Sequence, residues 1–365
     1  MEYWGPKIAK SILRDSLRLD RGESVIIEAW TRGLPWVDSF LLESRLIGAK
    51  PMVIYESDNA FWAAFEKVKP EEFGKLGAPE SAALRATNTY VFFWGPADRT
   101  RYHSLPRSTQ RKLEAWEDEW YKIAKEKKIR VCRIELTRAT EALSKEYGID
   151  YDEWRKELLE ATVVDRAPMR RDGLKISERL LRGKRILITN ANGTRLELGL
   201  AGRRPYVDDG VVDEADLEVG YWDTNCPSGV VTVAVDESVA DGILKSNRPA
   251  RYGPGMGGTE GGTWEFKNGR LIKYSFDSGK QNFERRFRRA GKEKYKPAIL
   301  SIGLNPKVKN APLFEDQERG VVTVYVGSNQ WLGGSNKGDY HTWLLLKGAD
   351  LSVDNVPLLR DGRIV

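Results

Sequence analysis

Short apolar runs alternate with amphipathic segments along the first half of the chain. Strands are predicted where a few β-branched, aliphatic or aromatic residues are bounded by polar residues or glycine, at Ser24–Glu28, Met52–Tyr55, Tyr90–Trp94 and Ile129–Ile134. Helical spacing predicts helices over 5–19, 35–47 and 107–127, with short helices within 59–86. This alternation is typical of a parallel sheet with helical crossovers, so we predict an α/β domain over residues 1–165.

Strand patterns dominate the second half. Arg185–Thr189 and Thr194–Gly199 flank Asn190–Gly193, which predicts a hairpin. Further strands are predicted near 230–235, 263–275, 299–304, 321–327 and 343–347, with helices near 174–182 and 280–291. We therefore predict a strand-rich α+β domain over 174–365, separated from the first domain by a joint at Arg166–Gly173.

Composition narrows the class of protein. The 365 residues are 41% hydrophobic, contain no apolar run of the length that a membrane helix needs, and begin without a signal-peptide core. We expect a soluble cytoplasmic protein that does not contact membranes. Four glutamines beside abundant Arg, Lys and Glu are the composition of a thermophile protein. Two cysteines and two histidines exclude a disulfide framework and a Cys-rich zinc site, and Cys132 is expected in the core of its strand.

The positive charge is confined to the second part of the chain. Residues 1–165 hold 27 Lys and Arg against 28 Asp and Glu, whereas 166–365 hold 32 against 25. The densest basic stretch, 285–296, predicts RNA or ribosome binding as one function, because clustered cations neutralise phosphates. The alternative, which we favour, is an amphipathic helix whose Phe283 and Phe287 face the core.

A glycine-rich loop spans Tyr252–Gly262. Such loops hold phosphates when they join a strand to a helix N-terminus. This loop lacks the Lys-Ser/Thr pair of a nucleotide loop and precedes the strand pattern Thr263–Phe266, so we favour a tight loop beside a site.

Two residues are candidate catalytic groups. His341 follows a glycine-rich approach to a strand, and Cys226 lies in the sequence Asp-Thr-Asn-Cys-Pro-Ser-Gly. A thiol and an imidazole could act as nucleophile and base, although the sequence does not place them together. His103 is expected at the surface of the first domain.

Several blocks in order resemble the thermophilic metalloaminopeptidase family (aminopeptidases T and S) and the related 2,5-dihydroxypyridine 5,6-dioxygenase branch. They are Ile302–Lys307, Phe314–Glu318, Gly320–Asn329 and Gly333–Asn336 leading to His341. The resemblance implies a metal site of glutamates and histidines in the C-terminal domain, and a homodimer formed through that domain.

This chain departs from the implied ligand pattern. Val230, Ile299, Thr323 and Trp343 stand where the resemblance implies glutamate, glutamate, histidine and aspartate, and His341 remains. Since a catalytic metal takes about three imidazole or carboxylate ligands, we predict no metal and no cofactor.

The leading hypothesis is a pseudoenzyme that binds a small molecule or peptide in the old cleft. An active aminopeptidase is the alternative, either metal-free through Cys226 and His341 or with relocated carboxylate ligands, so enzyme activity stays open at this stage. The carboxylates considered are Glu237, Glu260, Glu265, Asp277, Glu315, Asp316, Glu318 and Asp339.

Overall fold

The computed structural model describes residues 4–365. Its helices are α1 Gly5–Lys10, α2 Leu34–Ile47, α3 Asp58–Phe65, α4 Pro70–Phe73, α5 Ala78–Arg85, α6 Arg99–Ser104, α7 Arg107–Leu113, α8 Trp116–Glu126, α9 Glu141–Tyr147, α10 Tyr151–Thr162, α11 Arg166–Arg182, α12 Glu214–Glu218 and α13 Lys280–Phe287. A π-helical segment, Ser11–Ser16, continues α1.

The strands are β1 Ser24–Trp30, β2 Lys50–Glu56, β3 Thr89–Phe93, β4 Arg130–Ile134, β5 Arg185–Asn190, β6 Thr194–Leu200, β7 Tyr206–Asp208, β8 Asp223–Cys226, β9 Val230–Lys245, β10 Ala250–Arg251, β11 Gly258–Thr259, β12 Thr263–Lys267, β13 Arg270–Ser275, β14 Pro297–Gly303, β15 Val322–Gly327, β16 His341–Leu346, β17 Asp350–Val353, β18 Val356–Arg360 and β19 Arg363–Ile364. The two sets of strands belong to two compact units of the chain.

The first unit holds the residues up to Val163 together with Gly210–Ser228. Its parallel sheet has the strand order β2-β1-β3-β4-β8, and the apolar runs predicted as strands form four of these five. Cys132 is fully buried in β4, as predicted. The fifth strand, β8, was not predicted.

The second unit holds Val164–Asp209 and Gly229–Val365. Its large sheet is antiparallel, and β9 is long enough to pair with β6 near its C-terminal half and with β14 near its start. The predicted hairpin at Asn190–Gly193 is confirmed by the pairing of β5 with β6. The mixed α/β class predicted from the sequence is therefore the observed one.

Two helix predictions need correction. The helix predicted near 174–182 begins already at Arg166, capped by Asp165, whose carboxylate accepts from the backbone N–H of Ala167. Residues 166–173 are therefore helical rather than an irregular joint. The helix predicted over 107–127 is divided into α7 and α8.

Across residues 4–365, no helix combines the length and the hydrophobicity that crossing a bilayer requires.

Candidate functional site around His341

Alternate residues of β14, β15 and β16 form a polar face in the second unit. The strand pairing sets Ile299 opposite Tyr325, and Tyr325 opposite Trp343. Because successive side chains of a strand point to opposite sides, His341 shares the side of Trp343. The opposite side of the same strands packs into the main core of the unit. We call this side of the sheet the His341 face; it comprises Ile299, Ser301, Thr323, Tyr325, His341 and Trp343, of which the first three are fully buried.

Aromatic rings surround the imidazole on this face. The ring centroid of His341 lies 6.0 Å from that of Tyr325 and 6.1 Å from that of Trp343, and the two latter rings are 5.8 Å apart. Tyr252 meets Trp343 edge to face at 5.7 Å. Its hydroxyl is 3.0 Å from that of Thr259 across the β10–β11 hairpin. The rings form a platform on which a planar group could stack.

Arg286 brings a positive charge to the edge of this platform. It projects from α13, and its guanidinium lies 4.5 Å from the ring centroid of Tyr252 and 5.6 Å from that of Tyr340. Its Nη2 donates to the backbone carbonyl of His341 at 3.3 Å, whereas its buried Nη1 has no hydrogen-bond partner within the described chain. Burial lowers the pKa of Arg286, and no carboxylate of residues 4–365 pairs with it. The charge is thus held by aromatic rings.

The imidazole of His341 is neutral near pH 7. Its side chain keeps an exposed edge, yet the protein around it, and then the charge of Arg286, lower its pKa to about 4. A neutral imidazole offers one hydrogen-bond donor and one acceptor to a ligand.

The nearby carboxylates already hold protein partners. Asp316 accepts a hydrogen bond from the hydroxyl of Tyr325 at 3.2 Å, and burial raises the pKa of this carboxyl. The remaining buried acidic groups of the set considered as relocated ligands form ion pairs, namely Glu315 with Arg251, Glu318 with Arg248 and Lys347, and Glu237 with Arg203. These contacts are those of structural carboxylates.

The register separates Val230 from His341. Val230 pairs with Gly303, whereas Ile299 pairs with Ala234, four residues further along β9. At about 3.3 Å per residue, Val230 is roughly 13 Å along the sheet from the row of Ile299, and His341 lies beyond that row. A side chain at position 230 therefore does not share a site with His341.

A metal centre needs about three ligands from imidazole, thiolate or carboxylate groups. In the part of the chain that the structure describes, no three His, Cys, Asp or Glu side chains come together in such an arrangement. The other oxygen groups on the side chains of the His341 face are hydroxyls: Tyr325 bonds to Asp316, Ser301 is 3.1 Å from the hydroxyl of Thr232, and the buried Thr323 has no hydrogen-bond partner among residues 4–365. The residues present do not fit a resident catalytic metal.

Cys226, the other candidate catalytic residue, lies in the first unit at the end of β8. Its side chain is fully buried, and its Sγ is 3.9 Å from the hydroxyl of Ser16. His341 belongs to the second unit, and the pairing of the two residues in catalysis stays a prediction. His103 lies in α6 of the first unit and is partly exposed, with its ring 5.9 Å from that of Tyr102.

The basic stretch and the glycine-rich loop both contribute to the core around the His341 face. Phe283 and Phe287 are buried, which confirms the prediction of an amphipathic helix. The loop is a short hairpin that places Tyr252 against Trp343, and strand β12 follows it as predicted. Sequence reasoning missed Arg286 and Tyr325. Helical spacing places Arg286 three residues after Phe283, and the period of two in Val322–Val326 places Tyr325 on the polar side.

The first unit is built on a parallel sheet and the second on a large antiparallel sheet. The model of the thermophilic metalloprotease family (M29) matches residues 6–289, so this chain belongs to that family. The match ends before β14. Ile299, Thr323 and Trp343, which stand where the family resemblance implies metal ligands, lie beyond it.

Two solved structures share the fold. Wild-type AmpT from Thermus thermophilus is 18% identical with a TM-score of 0.70, and the match covers 99% of each chain. The 2,5-dihydroxypyridine dioxygenase from Pseudomonas putida is 15% identical with a TM-score of 0.68, covering 99% of this chain and 96% of that one. No curated protein matches the sequence.

Proposed function

We propose that this member of the M29 family does not hydrolyse peptides with a metal, and that the His341 face binds a small molecule or peptide. One observation carries the proposal. Two adjacent strands, β15 and β16, bring a single imidazole together with a tyrosine and a tryptophan, where a catalytic metal would need further imidazole or carboxylate ligands.

The side chains around His341 suit a ligand that has both a planar and an anionic part. The rings of Tyr325 and Trp343 offer stacking surfaces, and the neutral imidazole can accept or donate one hydrogen bond. Arg286 supplies a positive charge that no carboxylate of residues 4–365 neutralises. A carboxylate-bearing small molecule or a peptide C-terminus has this combination of groups.

Metal content is the first test. Purified protein is incubated with zinc or cobalt, desalted and measured by elemental analysis. We expect well below one ion per chain for the wild type, for His341→Ala and for the control His103→Ala, which removes the other histidine. Stoichiometric metal that His341→Ala loses and His103→Ala keeps would contradict the proposal.

A variant with added metal-binding side chains serves as a positive control for the metal measurement. The double substitution Tyr325→His and Trp343→Asp places an imidazole and a carboxylate on neighbouring strands, at the two positions whose rings lie 6.0 and 6.1 Å from that of His341. We expect this variant to bind zinc at least about tenfold more tightly than the wild type.

Peptidase activity is the second test. Aminoacyl p-nitroanilides are offered with and without added zinc or cobalt, and we expect no release above a heat-killed control. Turnover that is lost in His341→Ala and retained in His103→Ala would establish the active aminopeptidase instead.

A further inference from the structure

A cavity lies in the first unit, on one face of the parallel sheet. Its volume is about 190 Å³, and its lining comes from residues between Glu28 and Arg133. The strands β1, β3 and β4 contribute alternate residues to its floor, and α3, α6 and α8 contribute its walls. It therefore belongs to a different unit from the His341 face.

The walls of this cavity are mainly aromatic. Six of the lining rings are those of Trp30, Phe61, Phe92, Trp94, Trp116 and Trp120. Trp30 meets Phe61 edge to face at 5.4 Å, and Phe92 lies 5.3 Å from Trp94. An engineered protein cavity of about 150 Å³ is large enough to bind benzene, so this space suits a molecule of one ring with a short substituent.

Glu28 places a carboxyl group in this apolar lining. It stands in the middle of a buried strand and is only 9% exposed, between the apolar residues Ile27 and Ala29. The hydroxyl of Tyr90 on the neighbouring strand donates to its Oε2. Within residues 4–365, no Lys, Arg or His nitrogen forms an ion pair with Glu28, although burying a carboxylate without a cation is costly.

The two arginines of the same cavity do not pair with Glu28. The guanidinium of Arg99 lies 4.6 Å from the ring centroid of Tyr102 and 5.4 Å from that of Trp94. Arg133 pairs with Asp223 at 2.9 Å.

Two further carboxyl groups, those of Glu114 and Glu117, line the cavity, and Glu114 accepts a hydrogen bond from the hydroxyl of Tyr102. The carboxyl of Glu28 is the most deeply buried of the three.

We propose that this cavity binds a small arylalkylamine, in which the amine is joined to an aromatic ring through a carbon atom. Its ammonium pairs with Glu28 while its ring packs among the tryptophans. Tryptophan faces attract cations in addition to apolar rings, so both ends of such a ligand meet a suitable surface. A buried carboxylate is stabilised by an ammonium group that pairs with it, because the attraction offsets the cost of removing the carboxylate from water.

Three probes of nearly equal size separate the two parts of the proposal. Benzylamine has both an aromatic ring and an ammonium group. Benzyl alcohol has the aromatic ring without the ammonium, and cyclohexylmethylamine has the ammonium with a saturated ring. Calorimetric titration of the full-length wild type is expected to give benzylamine at least about a tenfold lower Kd than either of the others. Equal affinity of benzylamine and benzyl alcohol, or no saturable benzylamine binding at millimolar concentration, overturns the proposal.

Variants assign the effect to Glu28. Glu28→Gln keeps the shape of the side chain and an acceptor for the hydroxyl of Tyr90. We expect it to raise the Kd of benzylamine at least about tenfold while changing the Kd of benzyl alcohol by less than about twofold. The control Glu126→Gln alters an exposed carboxylate of α8 outside the lining of the cavity, and it should leave the Kd values of both probes unchanged. Unchanged benzylamine affinity in a folded Glu28→Gln variant contradicts the assignment. If that variant does not fold, the comparison of probes on the wild type decides.

His341→Ala distinguishes this cavity from the site proposed in the second unit. We expect it to bind benzylamine as the wild type does. A loss of binding in that variant would mean that the amine occupies the His341 face, which overturns the proposal for this cavity.

Discussion

Glu28 is an acidic residue at a position where the strand pattern alone predicts an apolar one. Burial raises its pKa to about 7, and the nearby charges of Glu56 and Glu80 add to this, against the hydrogen bond from Tyr90. In the unfolded chain the same carboxyl has its ordinary pKa, 4.5. The folded state therefore binds the proton more tightly than the unfolded state does.

Glu28 should make the free energy of unfolding fall as pH rises. Because its folded pKa is raised, its favourable contribution is complete below about pH 4.5 and is lost as pH rises through about 7. A difference of this size corresponds to about 3 kcal/mol. We expect Glu28→Gln to be more stable than the wild type at pH 8.5 by up to this amount, and to lose that advantage at pH 4.

Urea unfolding followed between pH 4 and 9 measures this difference. Glu126→Gln, which alters an exposed carboxylate, should follow the wild type throughout. A constant offset between Glu28→Gln and the wild type across the whole range would show that the pKa of Glu28 is the same in the folded and the unfolded state.

Residue-scale features of the His341 face were only partly predictable from sequence. The glycine-rich approach to a strand marked His341, because loops positioned by a rigid scaffold commonly carry functional groups. Arg286 could not be separated from the other cations of its basic run, because its contacts with Tyr252 and Tyr340 depend on tertiary structure. The partner of Tyr325, Asp316, lies in a segment whose position depends on tertiary structure.

At the scale of elements, Glu237 of β9 holds the turn that leads to β16. Its carboxylate accepts two hydrogen bonds from Arg203, one from Asn329 and one from the backbone N–H of Ser335. Although burial opposes the shift, these donors lower its pKa to about 2. The sequence presented Glu237 as a candidate ligand, whereas its contacts give it a role in fixing the loop.

Glu237→Gln should destabilise the protein in a pH-dependent way. Since its folded pKa is lowered, its contribution is present above about pH 4.5 and is lost as pH falls through about 2. We expect a loss of about 3 kcal/mol at pH 7 and a much smaller loss near pH 3. Chemical unfolding at the two pH values measures it.

Glu197→Gln on the neighbouring strand β6 is the matched control, because this carboxylate is exposed. It should change the free energy of unfolding by less than about 0.5 kcal/mol. An equal loss for Glu237→Gln at both pH values would mean that the effect is steric.

The predictability of elements followed the strength of their local patterns. β1, β3 and β4 are apolar runs in a sheet buried by helices, and such runs are visible in sequence. β8 has the sequence Asp-Thr-Asn-Cys, which carries no such run, and only its pairing with β4 makes it a strand. α11 extends back over Arg166–Gly173 because Asp165 caps it, while the proline and glycine of this stretch favoured a joint.

At the scale of the whole molecule, the first compact unit is discontinuous in sequence. Gly210–Ser228 returns to it after the chain has contributed Val164–Asp209 to the second unit. This segment supplies β8, whose residues pair with Val131–Ile134 of β4. A cut after Val163 would expose that edge of the sheet.

A fragment ending at Val163 should therefore self-associate. Unpaired N–H and C=O groups along β4 are a template for pairing with another chain. We expect light scattering to show aggregates of this fragment, and a monomer when residues 210–228 are joined to it through a long Gly-Ser linker. Monomeric behaviour and equal thermal melting of both fragments would show that β8 is dispensable.

Because Gly210–Ser228 follows a part of the second unit in the sequence, the ribosome synthesises β8 well after β4. The ribosome adds about 5–20 residues per second, so β4 leaves the exit tunnel seconds before β8 exists. During that interval the nascent chain carries an open strand, and chaperones that shield emerging β-structure have a defined window in which to act.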